Sequence, residues 1–253
     1  MDVPSDVFPV AVGGTSPSLP SLLRMAGMTQ PRLLDLFCGS FGAGEGYRQA
    51  GFDVIGVDLV ERPRPHGVTF VQADALDYLS AHGREFDAIH ASPPCHDHTA
   101  LKTLSGLDGT ADLLPRTLAA VRKLGRPYVV ENVAGAISAM PGALVLCGTE
   151  FGLGAVDRHG VYRHLRRHRL FLSSSMLMGA GGCHCAGRKV VGVYGHGGGL
   201  KMDNGYGGTL AESRTAMGMP WADRAGVSLA IPPAYTRHLG EQLLAHLAAE
   251  RAA

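Results

Sequence analysis

A strand that runs directly into a glycine loop and then a helix is the feature that most restricts how this chain can fold. Leu33-Leu34-Asp35-Leu36-Phe37 is short and mostly apolar, and Cys38-Gly39-Ser40-Phe41-Gly42-Ala43-Gly44 follows it. Glu45 to Ala50 then has helical character, with Gly51 at the C′ position. The unit repeats in outline. Phe52 to Asp58 is a second strand that ends in an acid, and Val68 to Val71 is a third. Asp74 caps a helix over Ala75 to His82, and Phe86 to His90 is the next strand. Ala111 to Leu124 has helical spacing, Gly125-Arg126-Pro127 breaks it, and Tyr128-Val129-Val130 leads into Glu131-Asn132. Strands alternating with helices at these intervals predict an α/β fold built on a doubly wound, mostly parallel sheet.

Outside that region the pattern is weaker. Residues 1–30 are rich in Pro, Ser and Gly and read as a flexible leader. Residues 31–171 carry the repeating units and form the expected catalytic and cofactor-binding domain. Leu144 to Leu146 and Arg169 to Leu172 are further strands. Residues 172–212 are glycine-rich and read as a small loop-rich insert, and 213–253 as a segment returning to the main domain. Helices are expected over Leu210 to Met217 and Tyr235 to Arg251. The net charge of +1 gives no global field for a nucleic acid, so any basic patch must be local. Five cysteines form an odd set without paired spacing, which predicts a reducing compartment; the apolar runs are too short to span a membrane.

Two stretches carry chemistry. Gly39-x-x-Gly42-x-Gly44 after a strand has the form of a nucleotide-binding turn, but is neither G-x-G-x-x-G nor a P-loop. Asp58 is placed to bind ribose hydroxyls and Asp74 to accept from an exocyclic amine; turn and N-cap chemistry is the competing reading for both. The second stretch is Ser92-Pro93-Pro94-Cys95-His96-Asp97-His98. Two prolines end a strand stiffly, so Cys95 stands where open α/β sheets place ligands. Taken alone, it reads first as a structural cysteine in a turn and only second as a nucleophile.

Further motifs occur in a fixed order: Phe37-Cys38-Gly39-Ser40-Phe41-Gly42, Ser92-Pro93-Pro94-Cys95, Glu131-Asn132-Val133 and Arg167-His168-Arg169. Cys147-Gly148-Thr149-Glu150-Phe151-Gly152, Arg214 to Pro220 and Ile231 to Tyr235 continue the series. Together they resemble the cytosine-C5 DNA methyltransferase family over residues 32–245, in a compact form with a short target-recognition region. The resemblance implies the class I S-adenosylmethionine-dependent methyltransferase fold, which is Rossmann-like. It implies a cofactor site of Phe37, Gly39, Phe41, Gly42, Gly44, Asp58, Leu59, Asp74, Ala75 and Pro93. It implies catalysis by Cys95, Glu131, Arg167 and Arg169 on a cytosine flipped out of double-stranded DNA, of the kind found in restriction–modification systems. A monomeric, cytoplasmic enzyme of prokaryotic or phage type is expected, with no membrane partner.

The residue types suit that chemistry. Carbon 5 of cytosine is activated by addition at carbon 6, and a thiolate such as that of Cys95 is the right attacker. Glu131 would meet N3 and the exocyclic amine, Arg169 would donate to O2, and Arg167 would brace the loop. Singly, Glu131 reads first as a strand-end acid in a salt bridge, and Arg167 with Arg169 as a solvated face, ahead of catalysis. The run Arg158 to Arg169, with five arginines, three histidines and no acid, suits a phosphate-facing surface or a basic strand edge.

His96 follows Cys95 where the family usually has Gln, so Cys95, His96 and His98 form a rival metal set, although neighbouring ligands converge poorly. Cys183-His184-Cys185 with His196 is a second metal candidate, but C-x-C is less specific than C-x-x-C and no metal is expected overall. Tyr194, His196, Lys201, Asn204 and Tyr206 are candidate target contacts in the short insert. That insert also keeps open the same reaction on RNA or a free cytosine nucleotide, or a non-catalytic nucleic-acid-binding protein with this fold.

Overall fold

A computed structural model describes residues 30–94, 113–193 and 206–252. Pro31–Ala253 form one unit; the leader lies outside the described residues. The main sheet is built from β1 (Arg32–Leu36), β2 (Asp53–Asp58), β3 (Thr69–Gln72), β4 (Ala88–Ala91), β5 (Tyr128–Val133), β6 (Leu144–Leu146) and β9 (Arg169–Ser173), in the order β3-β2-β1-β4-β5-β9-β6. The pairs from β3 through to β5 are parallel. β9 runs antiparallel between β5 and β6.

Alternation along the strands explains why both faces are covered. Leu33, Val54, Ala88 and Val129 point into one apolar layer with α1 (Gly42–Ala50) and α6 (Pro233–Ala252). Leu34, Ile89 and Val130 point into the other, with α2 (Ala75–His82) and α3 (Leu113–Leu124). A period of two with both faces apolar is what a sheet wrapped by helices requires. α1 and α6 approach closely because Gly46 has no side chain: a Cβ there would collide with Thr236 Oγ1 and the Pro233 carbonyl. Thr236 Oγ1 instead donates to the Ala43 carbonyl at 2.8 Å.

The doubly wound, mostly parallel sheet agrees with the expectation from sequence. The order, with one antiparallel strand next to the edge, is that of the class I S-adenosylmethionine-dependent methyltransferases. Helix α1 starts earlier than its sequence pattern suggests, because glycines at Gly42 and Gly44 hide its first turn.

A second sheet, β10-β8-β7, has no counterpart in the sequence reading. It comprises β7 (Gly154–Val156), β8 (Tyr162–Leu165) and β10 (Val190–Val191). β8 falls inside the basic run, where Arg163 and His164 obscure an alternation that buries only Leu165. α4 (Leu210–Met217) and α5 (Arg224–Leu229) pack on this sheet through Ala216, Met217 and Val227. The insert expected over 172–212 contributes a strand to this sheet. Its β10 pairs with β8, and Val191 and Val193 share a core with Ala155 and Leu165. Among the described residues, no helix is long and apolar enough to cross a membrane.

Candidate active site

The cofactor end forms where β1 and β2 finish. Phe37 and Gly39 both adopt positive φ, 59° and 51°, so the chain turns sharply out of β1. Asp58, the last residue of β2, fixes that turn. Its Oδ2 accepts from the Gly39 amide at 2.9 Å, and its Oδ1 from the Val60 amide at 3.1 Å. Leu59 stands beside it with 62% of its surface exposed, an apolar side chain left open next to a carboxylate. The space over Gly39 is free, since nothing lies within 4 Å of where its Cβ would be. An open backbone turn, an acid at the second strand end and an exposed apolar neighbour fit the sugar and base of a nucleoside cofactor. S-adenosylmethionine is the cofactor that this fold class serves.

The remaining cofactor-site expectations fall in different places. Asp74 accepts from the amides of Leu76 and Asp77 through Oδ1, at 2.9 and 3.0 Å, and so is the N-cap of α2. Ala75 is buried beneath that cap and Pro93 is buried at the end of β4. Phe41 is fully buried, unlike Phe37; its ring lies under Gly56 and Gly44. Gly42 packs against the Ile231 carbonyl, and a Cβ there would collide with it. Phe41, Gly42 and Gly44 thus seat the loop on the protein, while Phe37 and Gly39 face outward. Asp35 lies beneath Gly44, and burial pushes its carboxyl well above the usual range.

The base-pocket end forms where β4, β5 and β9 meet. Glu131 and Arg169 lie near one another because β5 pairs with β9 in the register Glu131↔Phe171 and Val133↔Arg169. Arg169 Nε is 3.0 Å from Glu131 Oε1, with both side chains mostly buried. Burial raises the Glu131 carboxyl above its ordinary range, against the charges of Arg169 and Arg167 and a hydrogen bond from Ser92. A buried acid that readily takes up a proton, next to a fixed guanidinium, can both donate and accept at a polar ring edge.

Behind Glu131 runs a buried polar chain. The Tyr47 hydroxyl is 3.1 Å from His90 Nδ1, and His90 Nε2 is 2.9 Å from Ser92 Oγ. With the Ser92 hydroxyl donating to Glu131, Nε2 carries the His90 proton and Nδ1 accepts from Tyr47. Burial holds His90 down to about 3, so the ring is neutral. This chain has no sequence signal beyond polar residues within apolar strands.

Arg167 lies behind the Glu131–Arg169 pair and its charge also acts on Glu131. It is only 4% exposed. Its guanidinium donates to the carbonyls of Ala230, Ser228 and Val193 at 2.7–3.0 Å. The Tyr235 hydroxyl donates to the Arg167 carbonyl at 2.6 Å. Arg167 thus ties the Arg-His-Arg turn to the last segments of the chain, in line with the bracing role.

Other arginines of the basic run also have partners within the protein. Arg163 pairs with Asp157 at 2.6 Å and lies over the Tyr206 ring at 4.1 Å. Tyr206, a candidate target contact, donates to Glu212 at 2.6 Å. Arg163, Arg167 and Arg169 of the run thus have partners within the protein. Cys95, His96, Asp97 and His98 lie outside the described residues, as do Tyr194, His196, Lys201 and Asn204.

Cys183 and Cys185 do come together, but with Cys147 and His168. Cys147 and His168 have no spacing motif with the C-x-C pair. They meet because β6 and β9 are antiparallel with Leu146 opposite Arg169, which brings the next residues of each strand end side by side.

No protein-family model matches the chain. Over 167 residues it is 27% identical to the Type II methyltransferase M.AgeI of Thalassovita gelatinovora, covering 55% of this chain and 39% of that protein. The chain thus spans about two fifths of the length of the curated relative it matches. Among solved structures, the Entamoeba histolytica methyltransferase EhMeth aligns with a TM-score of 0.47 at 10% identity, over 87% of this chain and 99% of that one. The SAM-dependent methyltransferase from Agrobacterium tumefaciens aligns with a TM-score of 0.34 at 17% identity, over 61% and 58%. The strand order and the open turn at Gly39 make this a chain with the class I S-adenosylmethionine-dependent methyltransferase fold.

Proposed function

We propose that the protein methylates carbon 5 of cytosine in DNA, with S-adenosylmethionine as methyl donor and Cys95 as nucleophile. The observation that carries this reading is the buried Glu131–Arg169 pair beside the Ser92-Pro93-Pro94 turn. Such a pair is costly to bury and is suited to a polar ring edge brought in from outside. The match to a type II methyltransferase adds support for the class of reaction.

S-adenosylmethionine, when bound, supplies a methyl group on a sulfonium; Phe37, Gly39, Asp58 and Leu59 are the residues that would hold it. Cys95, as thiolate, adds to carbon 6 of the ring as the double bond between carbons 5 and 6 opens. It leaves as thiolate when the methylated carbon 5 gives its proton to a base and the double bond re-forms. Glu131, in its protonated form, gives its proton to N3 and accepts from the exocyclic amine. Arg169 donates to O2, so charge that develops on addition meets donors already in place. Arg167 keeps that turn rigid from behind. A base read in this way must leave the helical stack.

Trapping on duplex DNA that contains 5-fluorocytosine tests the reading. Wild type should form a covalent adduct in the presence of cofactor, and Cys95→Ala should form none. An adduct on RNA but not on DNA would move the substrate; no adduct on any cytosine-bearing polymer would overturn the proposal.

A further inference from the structure

We propose that Cys147, His168, Cys183 and Cys185 form a structural zinc site that clamps the loop after β9 to the Arg-His-Arg turn. Their ligand atoms all lie within 4.8 Å of one another. His168 Nε2 is 3.3 Å from Cys183 Sγ and 3.7 Å from Cys185 Sγ, and the two sulfurs are 3.1 Å apart. A tetrahedral Zn2+ with ~2.3 Å bonds to sulfur and ~2.0 Å to nitrogen sets its ligand atoms about 3.5–3.8 Å apart. The two His168 distances are already close to that size. The Cys183–Cys185 pair would open by roughly 0.7 Å, and Cys147 completes the set within the 4.8 Å span. Three thiolates and an imidazole, with no carboxylate, are a donor set that favours zinc over magnesium or calcium. All four cysteines within the described residues carry free thiols, and three of them are in this cluster.

The surroundings suit thiolates. Thr149 Oγ1 lies 3.3 Å from Cys147 Sγ and accepts from the His184 amide at 3.0 Å. The Cys185 amide points at Cys183 Sγ at 3.5 Å. Donors of this kind orient metal-bound sulfurs. The three thiolates and one dication leave a net charge of −1, close in the chain to Arg166, Arg167, Arg169 and Arg188.

The loop itself supplies an independent reason. From Leu172 to Lys189 not one residue is buried, and residues 174–189 contain no helix or strand. Met176 is 91% exposed. Leu177 alone packs on the main core, and a segment with so little apolar burial needs a staple. Hydrogen bonds from Met178 to Gln242 and from Ala180 to Glu150 hold its first half. His164 holds the loop's far end, donating its amide to the Lys189 carbonyl at 2.9 Å and meeting Arg188 Nη1 at 3.2 Å through Nε2. Between that end and Ala180 the contacts run through the Cys–His cluster and Thr149. Because His168 separates Arg167 from Arg169, the metal would also fix the turn that delivers Arg169 to Glu131.

Metal analysis of the full-length chain, purified without a histidine tag or chelator, tests this whichever base is methylated. About one zinc per chain is expected, released by a thiol-modifying mercurial. Cobalt substitution should give the visible bands of a tetrahedral ion and a thiolate charge-transfer band. Cys185→Ser should lose the metal, while His184→Ala, a neighbour that is not a ligand, should keep it. Tryptic cleavage after Arg188 or Lys189 should accelerate about tenfold or more on metal removal. Less than about 0.2 zinc per chain even after zinc is supplied would overturn the proposal. So would bound iron instead, or a thiol titration showing Cys183 and Cys185 joined in a disulfide. Wild-type metal content and the cobalt spectrum decide the matter even if Cys185→Ser fails to fold.

Discussion

Asn132 donates its side-chain amide to the carbonyl of Pro93, 3.1 Å away and buried. The bond joins the end of β5 to the turn that precedes Cys95. It fixes the backbone two residues before the proposed nucleophile from the same strand that carries Glu131. The other side-chain atom, Asn132 Oδ1, accepts from the Val133 amide at 2.9 Å. Asn132→Asp keeps that acceptor and loses only the donor, leaving the Pro93 carbonyl facing a carboxylate. An unmade buried hydrogen bond is worth about 1–3 kcal/mol. Adduct formation with 5-fluorocytosine DNA should therefore slow by roughly 10–100-fold, with cofactor affinity measured by calorimetry unchanged. Equal losses in both would assign Asn132 to general folding.

Arg167 and Arg169 are two residues apart but should fail differently. Arg167→Lys cannot reach three carbonyls with one ammonium, so at least one buried acceptor is left bare. A loss of about 1–3 kcal/mol in urea unfolding is expected. Arg169→Gln strips buried Glu131 of its guanidinium, so the carboxyl should take up a proton on folding, and adduct formation should slow by about 10²–10³-fold as a pre-aimed donor is lost. If Arg167→Lys left stability intact, the bracing role would fail.

Asp58 and Asp74, alike in sequence as acids after strands, separate in the same way. Asp58 binds the Gly39 amide and so shapes the open turn, whereas Asp74 caps a helix through one oxygen. Asp58→Ala should weaken S-adenosylmethionine binding by about tenfold or more. Asp74→Ser, which preserves the cap, should leave the helix intact. Calorimetric titration of each variant with the cofactor reads this directly; an unchanged affinity for Asp58→Ala would remove it from the site.

The main sheet was legible because its strands carry apolar residues on both faces and its breaks carry Gly or Pro, apart from Ala73-Asp74 between β3 and α2, which the capping acid marks. Glu131 and Arg169 were legible as motif members, but their pairing was not, since it depends on β9 turning back between β5 and β6. The same reversal brings Cys147 to His168, residues 21 apart with no repeating spacing. The second sheet was hidden for another reason. Its strands are two to four residues long, and in β8 the charged Arg163 shares a face with Leu165, the strand's one buried residue. Arg167 reads in sequence as one more cation; only its burial against three carbonyls reveals a brace.

His90 makes the fold sensitive to acid. Its neutral ring is fully buried between Tyr47 and Ser92, and burial lowers it to about 3 from an unfolded value of 6.5. Between those two values the unfolded chain binds a proton that the folded chain does not. The stability that His90 contributes is therefore complete above about pH 6.5 and is lost as the pH falls, at up to ~1.4 kcal/mol per unit. His90→Gln removes the titration while keeping a polar side chain. Urea unfolding at pH 7.5, 6.5 and 5.5 should show a steeper loss for wild type than for the variant by up to about one kcal/mol across the lower interval. Parallel slopes for the two proteins would mean that His90 takes up its proton in the folded state. The chain from Tyr47 to Glu131 would then have to carry a charge in its middle.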